Sequence, residues 1–125
     1  MPVERRLSVR HPHRCPLTLA GGEGLRFAAQ STDVARAGLG LETDREAVVA
    51  LAQGGALLTP GDRVGVHLPG VAPGDPEAVL PARVRHVRRV SQGRYHVGVV
   101  FEALDPEGEA RLAERVALAR EHSPL

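Results

Sequence analysis

The chain has 125 residues, enough for one domain with a single core and too few for two. Hydrophobic residues make up 42% of it but aromatics only 2%, so the core must be built from Val, Leu and Ala. The net charge of +1 supplies no global field for nucleic acid or an anionic membrane, and the single cysteine, Cys15, excludes an internal disulfide and a cysteine-based metal cluster.

Residues 1–14 are basic, with Arg5, Arg6, Arg10 and Arg14 against Glu4 alone. Pro2 and Pro12 keep this segment from forming a regular helix. It is expected to be a flexible arm leading into a domain of residues 15–121. No apolar stretch follows the charged N-terminus as a secretory signal requires, and no apolar run approaches the roughly 18 residues of a membrane helix. A cytoplasmic protein without membrane insertion is expected.

Residues 15–19 alternate weakly, Gly21-Gly22-Glu23-Gly24 turns, and residues 25–31 follow with Leu25, Phe27 and Ala29 on one face. This predicts a hairpin. Residues 33–38 read as a turn, because Asp33 caps and Gly38 frees the backbone. Leu39-Gly40-Leu41 then restarts a strand. Residues 45–58 suggest a short helix broken at Gly54-Gly55. Pro60-Gly61-Asp62 is a turn, and Val64, Val66 and Leu68 alternate as a strand. Residues 79–90 alternate until Val87 and Val90 break step, which predicts a bulge. After the turn at Ser91-Gln92-Gly93, residues 95–101 alternate cleanly. Asp105-Pro106-Glu107 opens a helix with a capping acid and a proline at its first position, and Leu112, Val116 and Ala119 share one face. Arg115 and Arg120 fall towards its C-terminal end, where cations are favoured. Six short strands and one helix predict a small barrel, which leaves no exposed sheet edge.

Two short motifs carry the chemistry. Arg10-His11-Pro12-His13-Arg14 sets two guanidiniums four positions apart, suited to clamping phosphates bidentately and to meeting guanine. His11 and His13 lie between them, where an imidazole can stack on a base. Asp33-Val34-Ala35-Arg36-Ala37-Gly38 sets a carboxylate and a glycine five positions apart in a turn. A second basic cluster, Arg83, Arg85, Arg88, Arg89 and Arg94, surrounds one hairpin. The six histidines show no metal-ligand spacing, and no GxSxG, P-loop or HExxH signature is present, so a binding module is expected and not an enzyme.

In this order the two motifs resemble the RxxxR and (D/N)xSxxG ligand motifs of the PilZ domain family. Cys15-Pro16-Leu17 resembles the start of that family's first strand, and Val97-Gly98-Val99-Val100-Phe101 its late strand. The resemblance runs from about Arg5 to Arg120; against that family's layout, residues 45–58 are longer than needed and are expected to be a partner-specific insertion. The register with Arg10 and Arg14 is preferred because Arg14 then abuts the strand; Arg5, Arg6 and Arg10 offer an alternative. The resemblance implies a mostly-β fold, a six-stranded antiparallel barrel with a C-terminal helix. It implies a bacterial second-messenger receptor that binds cyclic di-GMP through Arg10, Arg14, Asp33, Ala35 and Gly38, with Arg5 and Arg6 nearby. No cofactor or metal is implied beyond that ligand. With no output domain of its own, such a module would relay the signal to an effector protein. Ala35 departs from the pattern, standing where the family has serine. One lost hydroxyl bond contributes about 0.5–1.5 kcal/mol, a weakening of roughly tenfold or less. The alternative is a degenerate adaptor that binds no nucleotide and docks on proteins. A single-stranded nucleic-acid barrel would present more stacking aromatics than Phe27, Tyr95 and Phe101.

Overall fold

Alternating side chains set the walls of the structure. Leu17 and Leu19, then Val64, Val66 and Leu68, then Leu80, Ala82 and Val84, then Tyr95, Val97 and Val99 all turn into one core. The computed structural model describes residues 9–122. Its strands are β1 (His11–Pro12), β2 (Pro16–Ala20), β3 (Arg26–Val34), β4 (Gly38–Asp44), β5 (Arg63–Leu68), β6 (Ala78–Ser91) and β7 (Arg94–Phe101). Its helices are α1 (Arg45–Ala50) and α2 (Pro106–Glu121). The strands run in the order β3–β2–β5–β6–β7–β4, and β4 pairs back to β3. Every pairing is antiparallel, so the result is a closed six-stranded barrel with a C-terminal helix. The fold expected from the sequence is the fold observed.

β1 lies outside the ring. It pairs with β3 beyond the reach of β2, with His11 opposite Val34 and Pro12 opposite Asp33. The chain from His11 to Cys15 stays on β3 throughout: His13 N–H donates to the Thr32 carbonyl and Ser31 N–H to the Cys15 carbonyl. The buried Ser31 hydroxyl accepts from Cys15 N–H at 2.9 Å and donates to the His13 carbonyl at 2.5 Å. The described part of the basic arm is therefore anchored by backbone bonds, and Arg5 and Arg6 lie outside the described residues.

Residues 45–58 contribute four side chains to the core. Asp44 caps α1 by accepting from Ala47 N–H at 3.0 Å. Ala47, Val48, Leu51 and Leu58 are then fully or almost fully buried, and Leu58 N–H donates to the Val48 carbonyl. This stretch seals the barrel interior, a role its lack of strand periodicity concealed. Six leucines, Leu19, Leu39, Leu41, Leu58, Leu68 and Leu80, are among the largest fully buried side chains. At about 1.5–3 kcal/mol each they do the work that aromatics do in richer cores.

α2 starts as its sequence predicts: Asp105 accepts from Gly108 N–H at 2.7 Å and Pro106 occupies the first turn. Leu112, Val116 and Ala119 face the barrel. Arg115, read from the sequence only as a cation towards the helix end, has a further role. It turns inward, is only 8% exposed, and donates to the Pro69 carbonyl at 3.2 and 2.7 Å and to the Gly70 carbonyl at 3.0 Å.

Candidate ligand-binding site

Two bulges aim the polar residues of the site. In the β3–β4 ladder Ser31 pairs with Leu41 and Asp33 with Gly40, leaving Thr32 as an extra residue. Ser31 and Val34 face inward, and Thr32 and Asp33 both reach the outer face. In the β6–β7 ladder the register shifts between Val84 and His86. Arg85 and His86 are both exposed there while Val84 is buried and Val87 partly so. The second bulge matches the break in alternation of residues 79–90. The first had no counterpart in the sequence pattern, because one inserted residue in a short polar stretch leaves no periodic trace.

The two arginine-motif and turn-motif residues that meet are Arg10 and Asp33. Arg10 Nη1 lies 2.5 Å from Asp33 Oδ1, with the two side chains 42% and 26% exposed. Such a pair, half in water, contributes about 0.2–1 kcal/mol to stability. Its guanidinium remains available to a stronger anion. Arg14 is exposed and has no ion-pair partner among the described residues.

The turn itself is a tight reversal. Ala35 N–H donates to the Gly38 carbonyl at 2.8 Å, and Phe101 N–H donates to the Ala37 carbonyl at 2.9 Å. Ala35 is 1% exposed, whereas Arg36 and Ala37 project outward. Gly38 serves by space and not by a left-handed backbone. It has no positive φ, but a Cβ there would run into the Val99 carbonyl oxygen and the Val100 backbone.

The histidines divide between two environments. His13 faces α2, with its Nε2 3.4 Å from Arg115 Nη1. Burial first, then the Arg115 charge and His122, hold its pKa below the ordinary value. His11 pairs along β3. On the outer face His96 Nε2 lies 3.2 Å from the Thr32 hydroxyl and His96 Nδ1 lies 3.1 Å from His86 Nε2. Sequence reading left Thr32, His86 and His96 out of the site. The signal for them lay in pairing: His96 sits opposite Glu42 and Arg88, two pairs along from the Gly40–Gly98 pair beside Asp33. Of the second basic cluster, Arg83 pairs with Glu102 at 2.6 Å and Arg94 approaches Glu42 at 3.9 Å. No group of three or more metal-ligating side chains occurs among the described residues, and no helix there is long and apolar enough to cross a membrane.

The arrangement therefore offers cations on an anchored arm, a carboxylate beside them, and a turn whose backbone is held close to β7. The PilZ domain family pattern matches residues 4–118. No curated protein matches the sequence. Among solved structures, the PilZ domain of YcgR from Escherichia coli, determined with c-di-GMP, superposes with a TM-score of 0.62 at 12% identity, covering 94% of this chain and 92% of that one. The PilZ domain of CeSA from a cellulose-synthesizing bacterium gives 0.56 at 22%, covering 92% and 100%. The inhibitor of motility MotI/DgrA of Bacillus subtilis gives 0.64 at 16%, covering 94% of this chain and 53% of that one. At these identities the structures share a fold; the family match over residues 4–118 makes the chain a member of the PilZ domain family.

Proposed function

We propose that the protein is a non-enzymatic receptor for cyclic di-GMP, seated on the outer face of the barrel between the arm and the 33–38 turn. The observation that carries this reading is the Arg10–Asp33 contact, which puts the two motifs within one salt bridge of each other. The ligand brings two phosphates, and Arg10 and Arg14 supply two cations. Arg10 would exchange its exposed carboxylate partner for phosphate, since hydrogen bonds between charged groups in a less hydrated complex are the stronger ones. Asp33 would then accept from a guanine N–H edge or from an arginine that touches the ligand. The close packing of Gly38 on β7 would hold the turn in place beside the ligand.

In this reading the arm of residues 1–14 is the part that changes. Its anchor from His11 onwards is already bonded to β3. Closure then turns Arg10 and Arg14 onto the ligand. Signal transfer to an effector protein in the bacterial cytoplasm would follow from the changed arm and turn. A groove of about 430 Å³ between Arg36 of the turn and Leu104, Pro106, Glu109 and Ala113 lies next to the moving part. That groove also favours the second reading, an adaptor that docks on proteins without nucleotide, as does the buried Ala35 in the serine position.

Isothermal titration of cyclic di-GMP into the full chain separates the two readings. Saturable heat at micromolar ligand that Arg14→Ala removes supports the receptor. No saturable binding at high micromolar ligand leaves the adaptor.

A further inference from the structure

A chain of hydrogen bonds crosses the outer face of the barrel and ends on the carboxylate of the ligand motif. Asp33 Oδ2 lies 3.3 Å from Thr32 Oγ1, Thr32 Oγ1 lies 3.2 Å from His96 Nε2, and His96 Nδ1 lies 3.1 Å from His86 Nε2. The two imidazoles are nearly parallel, with 14° between their planes. Gly40 and Gly98 pair directly across β4 and β7 beneath this chain. A Cβ on Gly40 would lie 2.8 Å from Asp33 Oδ2, 2.9 Å from His96 Nε2 and 2.9 Å from Thr32 Oγ1, and one on Gly98 would strike the His86 ring. The glycine floor is what allows the polar chain to lie flat on the sheet.

The polarity of the chain follows from its end. An ionised carboxylate accepts only, so the single Thr32 hydroxyl proton goes to Asp33. Thr32 must then accept from His96 Nε2–H. That assigns the neutral His96 tautomer and leaves its Nδ1 to accept from His86 Nε2–H. Protonation of His96 would keep its Nε2–H bond to Thr32, with His86 then accepting through Nε2 in its other neutral tautomer.

We infer that His96, acting through Thr32 and anchored by His86, is a positioning residue that holds the Asp33 carboxylate for cyclic di-GMP. The inference rests on the receptor reading of the site. The charged and titratable groups facing His96 are Asp33 from β3, Glu42 from β4, and His86 and Arg88 from β6; Arg94 of its own strand lies near Glu42 and Arg10 neutralises Asp33. Burial first, then His86, holds the His96 pKa below its ordinary value, so the neutral ring is the one present at pH 7, while Asp33 pulls the other way. When phosphate takes Arg10, Asp33 loses its neutralising partner and its pull on His96 grows. Binding therefore takes up protons, and affinity rises as the pH falls, by at most about tenfold per pH unit for one proton.

The test is titration calorimetry of cyclic di-GMP into the full chain near pH 6.5, in buffers of different ionisation enthalpy. Wild type is expected to take up a fraction of a proton. His96→Gln, whose amide N–H still donates to Thr32, should stay within about threefold of wild-type affinity with the uptake gone, and His96→Ala should bind at least fivefold more weakly. Wild-type affinity in His96→Ala, or unchanged uptake in His96→Gln, overturns the inference. Absence of any binding heat in wild type would instead reject the receptor reading. The coupling is then read without ligand from the His96 imidazole resonances. Asp33→Asn should lower the His96 titration midpoint, and an unmoved midpoint overturns the coupling.

Discussion

Replacing Arg115 with alanine should be among the most damaging single changes on α2. The guanidinium is a buried cation that bonds to carbonyls, twice to Pro69 and once to Gly70. Each hydrogen bond involving a charged group contributes about 1.5–3 kcal/mol net. The three share one side chain, and both carbonyls belong to partly exposed residues that water can reach after truncation, so they do not add in full. Lost packing of the aliphatic stem adds about 0.8 kcal/mol per buried methylene. A total of about 2–4 kcal/mol follows, or a fall in Tm of roughly 8–16 °C for a domain of this size. Thermal unfolding followed by circular dichroism measures it. Arg120→Ala, on the exposed side of the same helix, should change Tm by no more than about 2 °C and serves as the control. Arg115→Lys, which keeps the charge but loses the planar fork, should fall between the two. If Arg115→Ala melted like Arg120→Ala, the tie between α2, the loop after β5 and His13 would carry no energy, and the argument would fail.

Other expected outcomes concern the site. Gly38→Ala forces a methyl into the Val99 carbonyl, and since backbone cannot yield as a side chain does, stability should fall by about 1–3 kcal/mol in chemical denaturation; a wild-type midpoint would refute the packing role of Gly38. Arg10→Ala should leave stability within about 1 kcal/mol, because its ion pair is exposed, yet weaken cyclic di-GMP binding roughly 10- to 150-fold; equal effects on both would show a structural and not a ligand-facing arginine. His13 and His96 both have pKa values held below the ordinary one near 6.5, so folding favours their neutral forms. Their contribution is full above about pH 6.5 and is lost as the pH falls through the lowered folded-state values, so Tm should drop between pH 7 and pH 5, less steeply in a His13→Gln, His96→Gln double variant.

The barrel was legible because its strands alternate where one face is buried. The 95–101 run and the capped helix from Pro106 appear in the structure almost residue for residue. Of the residues singled out in the two motifs, Arg10 and Asp33 are in contact in the structure. What spacing could not carry was the outward turn of Thr32 and Asp33, which depends on a bulge in a ladder whose partner strand comes later in the chain. His86 and His96 were equally hidden, since ten residues of hairpin separate two rings that lie side by side. Arg115 looked like a helix-end cation because a one-dimensional pattern records position along α2 and not the carbonyls that face it. Residues 45–58 looked like an insertion because a segment that seals a barrel end needs buried residues at irregular intervals, with neither the strand nor the helix period to announce it.

The most direct test of the central claim is a two-dimensional amide NMR titration of the full chain with cyclic di-GMP, which reports binding and place together. Saturable shifts concentrated at residues 10–15, at 32–38, and at His86 and His96 are expected, with α2 shifting less. No saturable change, or shifts confined to the groove between Arg36 and α2, would contradict a receptor site on the arm and the 33–38 turn.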